Sequence, residues 1–186
     1  MRNRSAPLTA GVHLPASSFP KLALPLPVPY PVMESRRAER LPHGHHWQFE
    51  PKWDGFRCLV FRSGLDVAMQ SKAGQSLSRY FPELMAAFLA VPSDSFILDG
   101  EIAVFHDGTL SFDSLLLRIH PAKSRIASLA QDTPATFIAF DILYDPAEGE
   151  TLVIDLPLTD RRRRLEKFFT NAPEDSLIRI TPMTRD

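Results

Sequence analysis

The segment Glu50-Pro51-Lys52-Trp53-Asp54-Gly55-Phe56-Arg57 sets a lysine just before an Asp-Gly turn signal and an arginine just after it. A turn of this kind can present an amine at the floor of a pocket. A protonated lysine is a poor nucleophile, so covalent chemistry there requires desolvation or a neighbouring cation, which Arg57 or a bound metal ion would supply. The competing reading of the same residues is a surface loop, because K-x-D-G is short enough to recur by chance. A second constellation is Ile97-Leu98-Asp99-Gly100-Glu101-Ile102-Ala103-Val104-Phe105. Strand alternation puts Asp99 and Glu101 on one face and Leu98, Ile102 and Val104 on the other. Two carboxylates so placed can hold a hydrated Mg²⁺ or accept hydrogen bonds from a ribose. They could equally form the wet half of an amphipathic strand, but Ile97, Ala103 and Phe105 share their face, which suits a pocket wall. The third constellation is Phe137-Ile138-Ala139-Phe140-Asp141-Ile142-Leu143-Tyr144. Alternation here sets Phe137, Ala139, Asp141 and Leu143 opposite Ile138, Phe140, Ile142 and Tyr144, and the aromatics either pack a core or offer a ring to a purine.

These residues need elements to hold them. Strands are expected over 47–52, 56–62 and Val67–Ser71, the last two joined at Ser63-Gly64. Pro82 suits a first helical turn and opens Glu83–Ala90, whose Leu84, Phe88 and Leu89 share an apolar face. A strong strand over Phe96–Phe105 closes at His106-Asp107-Gly108, a short helix follows over Phe112–Arg118, and a further strand covers Thr136–Tyr144. Thr159 or Asp160 can cap a helix through Phe169, whose Arg161–Arg164 run reads as a solvated face. Without a regular βαβ alternation, these elements predict an α+β fold with a largely antiparallel sheet, its ordered body beginning near Trp47. Ahead of it lie seven of the 17 prolines, within residues 1–31. Leu24–Pro31 alternates proline with other residues, so residues 1–33 read as a proline-rich arm or linker in polyproline II. His43, His45 and His46 follow without a cysteine or spaced carboxylates to complete a metal site, and read as a solvated loop.

At 186 residues, 44% of them hydrophobic, the chain can bury a core as one domain or one domain plus a tail. A formal net charge of −1 leaves no overall footprint for nucleic acid or a membrane surface. The balance is uneven, with six basic and two acidic residues in 1–46 against fifteen and twenty in 47–186. A basic head precedes an acidic body. Cys58 stands alone, which excludes an intramolecular disulfide framework. No apolar run approaches the ~20 residues that span a bilayer, and prolines interrupt any signal-peptide core. The expected address is cytoplasmic, with no membrane partner.

Taken in order, the three constellations resemble the nucleotidyltransferase superfamily of ATP-dependent DNA ligases, RNA ligases and mRNA capping enzymes. Lys52 through Arg57 matches K-x-D-G-x-R, Asp99-Gly100-Glu101 matches a later signature, and Phe140-Asp141 the aromatic one after it. Further stretches, Gln70-Ser71-Lys72-Ala73-Gly74, Ser78 through Leu84, Arg118 through Arg125 and Pro157 through Arg162, are similar to small bacterial ATP-dependent DNA ligases of the C type, which belong with repair and end-joining ligases. The resemblance covers roughly residues 20–170. It implies an α+β adenylation domain over 34–186, with largely antiparallel sheets flanking a nucleotide pocket and incomplete at its C-terminal end. Lys52 would take AMP from ATP, with Mg²⁺ offsetting phosphate charge. Glu50 would read the adenine edge, Phe140 would stack on adenine, Arg57 would lie near the ribose and nick phosphate, and Glu101 would face the ribose or the metal. Asp54 and Lys72 complete the expected nucleotide-binding set. The implied substrate is nicked or broken double-stranded DNA, with a Ku-like end-binding partner and a nucleoid-associated cytoplasmic location.

The sequence departs from the family pattern at two places. Lys72 stands where the family has arginine, and lysine cannot offer the planar fork that holds phosphate or ribose oxygens in two bonds. The later E-G-x-x-x-K and K-x-K signatures have no counterpart: Glu148-Gly149-Glu150 lacks the following lysine, and the five lysines are Lys21, Lys52, Lys72, Lys123 and Lys167. An OB-fold of ~100 residues is not expected within the 186. Two other readings therefore stand beside the ligase one: a catalytically reduced nucleotide-binding or DNA-repair interaction module, and an RNA-capping or RNA-ligase enzyme.

Overall fold

The computed structural model describes residues 18–44, 46–119, 122–147, 149, 152–170 and 176–185. Two strands, β1 (Phe56–Ser63) and β2 (Asp66–Ser71), form the expected hairpin, and Gly64 adopts the positive φ of its turn. A 3₁₀ turn over Ser78–Tyr80 leads into α1 (Pro82–Ala90), with proline in the first turn as the sequence predicted. Next come β3 (Ser95–His106), the short β4 (Thr109–Leu110) and α2 (Phe112–Leu116), where Ser111 Oγ accepts from Ser114 N. The chain continues through α3 (Lys123–Asp132), β5 (Ala135–Tyr144), α4 (Leu158–Phe168) and β6 (Ile178–Ile180). The strands form one sheet in the order β2-β1-β3-β5-β6, with β4 paired to β3, and only the β5–β6 pairing is parallel.

Both faces of this sheet are covered. Helices close one of them over Val60, Met69, Leu98, Ile102 and Phe137, with Phe88 of α1 and Leu165 of α4 from above. On the opposite face Leu59, Phe61, Ala68, Ile97 and Leu143 meet residues of the proline-rich segment, Phe19 to Val32, among which Leu26 is buried. The described part of the expected arm is thus a wall of the core. Its alternation of proline with Leu22, Leu24, Leu26 and Val28 turns an extended chain into a one-sided apolar strip. The Gln70 side chain secures the strip at Tyr30, donating to its carbonyl at 2.6 Å and accepting from its N–H at 2.7 Å.

Other expectations are also corrected. Residues 47–52 form no strand: only Phe49 pairs, with Thr184, and Pro51 lacks the N–H a ladder needs. Helix α3 and strand β6 went unanticipated; α3 has no side-chain cap at its start, and β6 is three residues long. α4 begins at Leu158 after Pro157, and neither Thr159 nor Asp160 caps it. In β5 the simple alternation breaks. Gly100 lies opposite Ala139 while Asp99 lies opposite Asp141, so Phe140 is an extra residue in a bulge. As a result Phe137, Ala139 and Ile142 all face the helices while Leu143 faces the proline-rich segment. Gly100 is required beside that bulge, because a Cβ there would lie 2.4 Å from the Phe137 ring and 2.5 Å from the Ile138 carbonyl oxygen.

Arg118 ties the helical layer together. Fully buried, it donates to the Tyr80 and Thr133 carbonyls and to Glu83, whose other oxygen accepts from Ala135 N at the start of β5. The His120-Pro121 part of the stretch after Arg118 lies outside the described residues, as do His45, Glu148 and Glu150. His43 and His46 are exposed, as a solvated loop requires.

Candidate active site

The chemistry-bearing residues gather at the end of the sheet where β1 begins. Register sets Arg57 of β1 opposite Glu101 of β3, and Glu101 opposite Ile138 of β5. Period two then brings Asp99 onto the same face as Arg57, as alternation along β3 predicted. Arg57 grips Asp99 with both arms of its guanidinium, Nε to Oδ1 at 2.6 Å and Nη2 to Oδ2 at 2.7 Å, and its Cζ stands 4.3 Å from the centre of the Phe140 ring. The β5 bulge is what turns Phe140 to this position. Burial raises the Asp99 carboxyl above its usual range, against the pull of Arg57.

Glu101 is anchored by the lysine loop itself, its Oε1 accepting from Gly55 N at 3.1 Å. That approach demands glycine, since a Cβ at residue 55 would come within 2.2 Å of the Ile102 carbonyl oxygen. Burial pushes Glu101 up to about 7, opposed by Arg57, by the Gly55 N–H and by Lys52. Lys52 is open to solvent and pairs with Asp54 Oδ1. Arg57 itself is engaged by Asp99 and the Phe140 ring. Glu50 is 24% exposed at its side chain, accepts from Gln48 Nε2 at 2.5 Å, and is raised chiefly by burial, with Gln48 and Arg162 lowering it. Lys72 follows the end of β2, where Ser71 pairs with Cys58, but its amine turns to Glu34 at 3.3 Å, both side chains exposed. The sheet end therefore brings together Lys52, Asp54, Arg57, Glu101 and Phe140, with Glu50 at the edge, while Lys72 faces the proline-rich segment. Behind the Arg57–Asp99 pair, Tyr30, Val32, Leu143 and Asp155 help line a cavity of about 180 Å³.

Sequence reasoning missed two arginines here. Arg161 holds Asp141, the cross-strand neighbour of Asp99, through three hydrogen bonds of 2.9 to 3.1 Å, and Arg162 is buried beside Glu50 and Thr181. The expected solvated face of α4 is thus half wrong. Helical spacing carried the signal, since Arg161 and Arg162 share a stripe with Leu165 and Phe168, whereas Arg163 lies on the outer side. Among the described residues, no group of three His, Cys, Asp or Glu side chains could hold a metal ion. No helix among them is long and apolar enough to cross a membrane.

This arrangement of helices around a mostly antiparallel sheet is the fold of a DNA ligase adenylation domain. It superposes on the ligase domain of M. tuberculosis LigD with a TM-score of 0.54 at 28% identity, covering 74% of this chain and 39% of that one. A mycobacterial DNA ligase D solved with ATP and MES gives a TM-score of 0.51 at 26% identity, over 73% of this chain and 39% of that one. Residues 33–185 match the family model of the ATP dependent DNA ligase domain, and the chain belongs to that family. It is 42% identical over 163 residues to DNA ligase C2 of Mycolicibacterium smegmatis, covering 88% of this chain and 44% of the relative. To DNA ligase C of Mycobacterium tuberculosis it is 44% identical over 140 residues, covering 74% of this chain and 38% of the relative. The chain spans less than half the length of these relatives.

Proposed function

We propose that this domain accepts AMP from ATP onto Lys52 and that, in a protein of its relatives' length, the AMP passes to the 5′-phosphate of a DNA nick or break. The observation that carries this reading is the single sheet end shared by the Lys52 loop, Glu101, the Arg57–Asp99 pair and the Phe140 ring. Lys52 Nζ, having lost a proton, would attack the α-phosphorus; the new P–N bond forms as the bond to pyrophosphate breaks, and pyrophosphate leaves with the electron pair. The ion pair with Asp54 must open for this attack, so Asp54 holds the amine in the ligand-free state. Arg57 covers one face of Phe140, and the purine would stack on the other. Glu50 would accept from the adenine amine. Lys72, once released from Glu34, would offer a point charge to phosphate or ribose oxygens.

Glu101 fits a Mg²⁺ that arrives with the nucleotide, since such ions take one or two carboxylates and complete their shell with phosphates and water. That ion would offset phosphate charge. For the DNA partner, the outward side of α4 carries Arg163, paired with Asp160, together with Arg164 and Lys167, all four bordering a cleft of about 310 Å³, and phosphates would compete for these cations. A Ku-like end-binding partner and a nucleoid-associated cytoplasmic location belong to the same reading through the resemblance to end-joining ligases.

The test is the mass of a ligase-length protein containing this domain after incubation with Mg²⁺ and either ATP or GTP. One AMP gained from ATP, none from GTP, and none in Lys52→Ala is the expected result. A GTP adduct would point to a capping enzyme. Nucleotide binding with no adduct would favour a catalytically reduced module, a reading that lysine in place of the family's arginine at position 72 supports.

A further inference from the structure

The loop that carries Lys52 lies outside any helix or strand, so something else must hold the amine in place. Besides the Gly55 N–H bond to Glu101, three tethers do so. Phe49 and Thr184 exchange backbone hydrogen bonds of 2.8 and 3.0 Å. After the lysine, the Trp53 indole donates to Thr181 Oγ1 at 2.9 Å and its ring meets Phe105 edge-on. Before it, Glu50 faces Arg162 of α4.

Arg162 joins the second and third tethers. Its Nη2 donates to the Thr181 carbonyl at 2.9 Å, so it fixes the residue that receives Trp53. Its Nε donates to Glu166 at 2.8 Å, which sets the plane of the guanidinium. Its Nη1 is buried without a hydrogen-bond partner, 3.6 Å from Glu50 Oε1. A buried, unpaired donor is costly, and the carboxylate just beyond hydrogen-bond reach is the group that a small inward step would bring to it. The guanidinium fork is what permits three separate engagements, and a lysine would lose that geometry.

We propose that Arg162 is the positioning residue of the Lys52 loop, holding it on both sides of the amine, through Glu50 before it and through Thr181 and Trp53 after it. The consequence for catalysis rests on the reading of Lys52 as the adenylylated residue. The clamp itself does not.

The experiment compares the wild-type chain with Arg162→Met, Arg162→Lys and Thr181→Val by hydrogen exchange of the Trp53 indole N–H, read by NMR. The half-exposed Trp47 indole serves as the fast reference and the Val60 and Leu98 amides as core controls. Arg162→Met should speed Trp53 exchange by about tenfold or more while the core amides keep their protection, with Arg162→Lys between. Thr181→Val should free Trp53 alone, and with Arg162→Lys it decides the matter if Arg162→Met loses core protection. In a ligase-length protein containing this domain, Arg162→Met should slow Lys52–AMP formation at saturating ATP by about tenfold, a change in kcat with a smaller one in KM. Unchanged Trp53 protection in a folded variant overturns the clamp. Freed Trp53 with an unchanged adenylylation rate overturns its link to chemistry. A wild-type protein that forms no adduct defeats the assignment of Lys52, and the exchange data still decide whether Arg162 holds the loop.

Discussion

At the scale of the residue, the site pairs charges it has taken out of water. Asp99 is 1% exposed at its side chain and is matched by a two-bonded arginine, an arrangement in which either partner alone is expensive. Asp99→Asn should therefore destabilise the chain by about 3 kcal/mol or more in urea unfolding, because it leaves the Arg57 charge without its partner. Glu101 behaves differently. Its folded value of about 7 lies above its ordinary 4.5, so between those values the folded chain holds a proton that the unfolded chain has released. Stability then falls as pH rises through that window, and the penalty is complete above it. Glu101→Gln removes the titration and keeps an oxygen for Gly55 N. Measured with a chelator present, its melting temperature should match the wild type at about pH 4 and exceed it by about 5 °C at about pH 8. A difference that shrinks as pH rises would contradict the account.

At the scale of the element, the positions of Arg57, Asp99 and Glu101 were legible because β1 and β3 are long, regular and paired without a break across those residues. Phe140 was placed on the right strand by its sequence, but its orientation depends on a bulge, and an extra residue leaves no mark in a pattern of period two. Arg161 and Arg162 were hidden by a rule that sends runs of arginine to solvent: Arg161 finds its carboxylate on β5, far off in sequence, and Arg162, though hydrogen-bonded to Glu166 one turn on, is buried against the Thr181 carbonyl and beside Glu50 of the Lys52 loop. The proline-rich segment misled for a related reason: proline argues against helix and central strand, yet an extended strip with a leucine at every second position can still seal a sheet. Leu26→Ala should consequently cost about 2–4 kcal/mol in urea unfolding, a core value where a linker residue would give nearly none. Gly100→Ala should cost about 1–3 kcal/mol, since the methyl group meets the Phe137 ring and a strand carbonyl.

At the scale of the whole molecule, a charge of −1 and a length of 186 residues stop looking neutral. The aligned part of the chain covers less than half of its curated ligase relatives, and its basic residues include Arg57, Arg118, Arg161 and Arg162, which are set against internal carboxylates, besides those on the outer side of α4 and in the head before Trp47. The later lysine signatures, which stabilise charge developing on phosphates, have no counterpart in the sequence. This chain by itself should accordingly form its AMP adduct feebly, and a ligase-length protein containing it should form it readily. The measurement that bears most directly on the account is peptide mapping of such a protein after reaction with ATP and Mg²⁺. One AMP on the peptide that holds Lys52, absent from Lys52→Ala together with nick joining, is the predicted result. AMP on another residue, or nick joining that persists in Lys52→Ala, would contradict it.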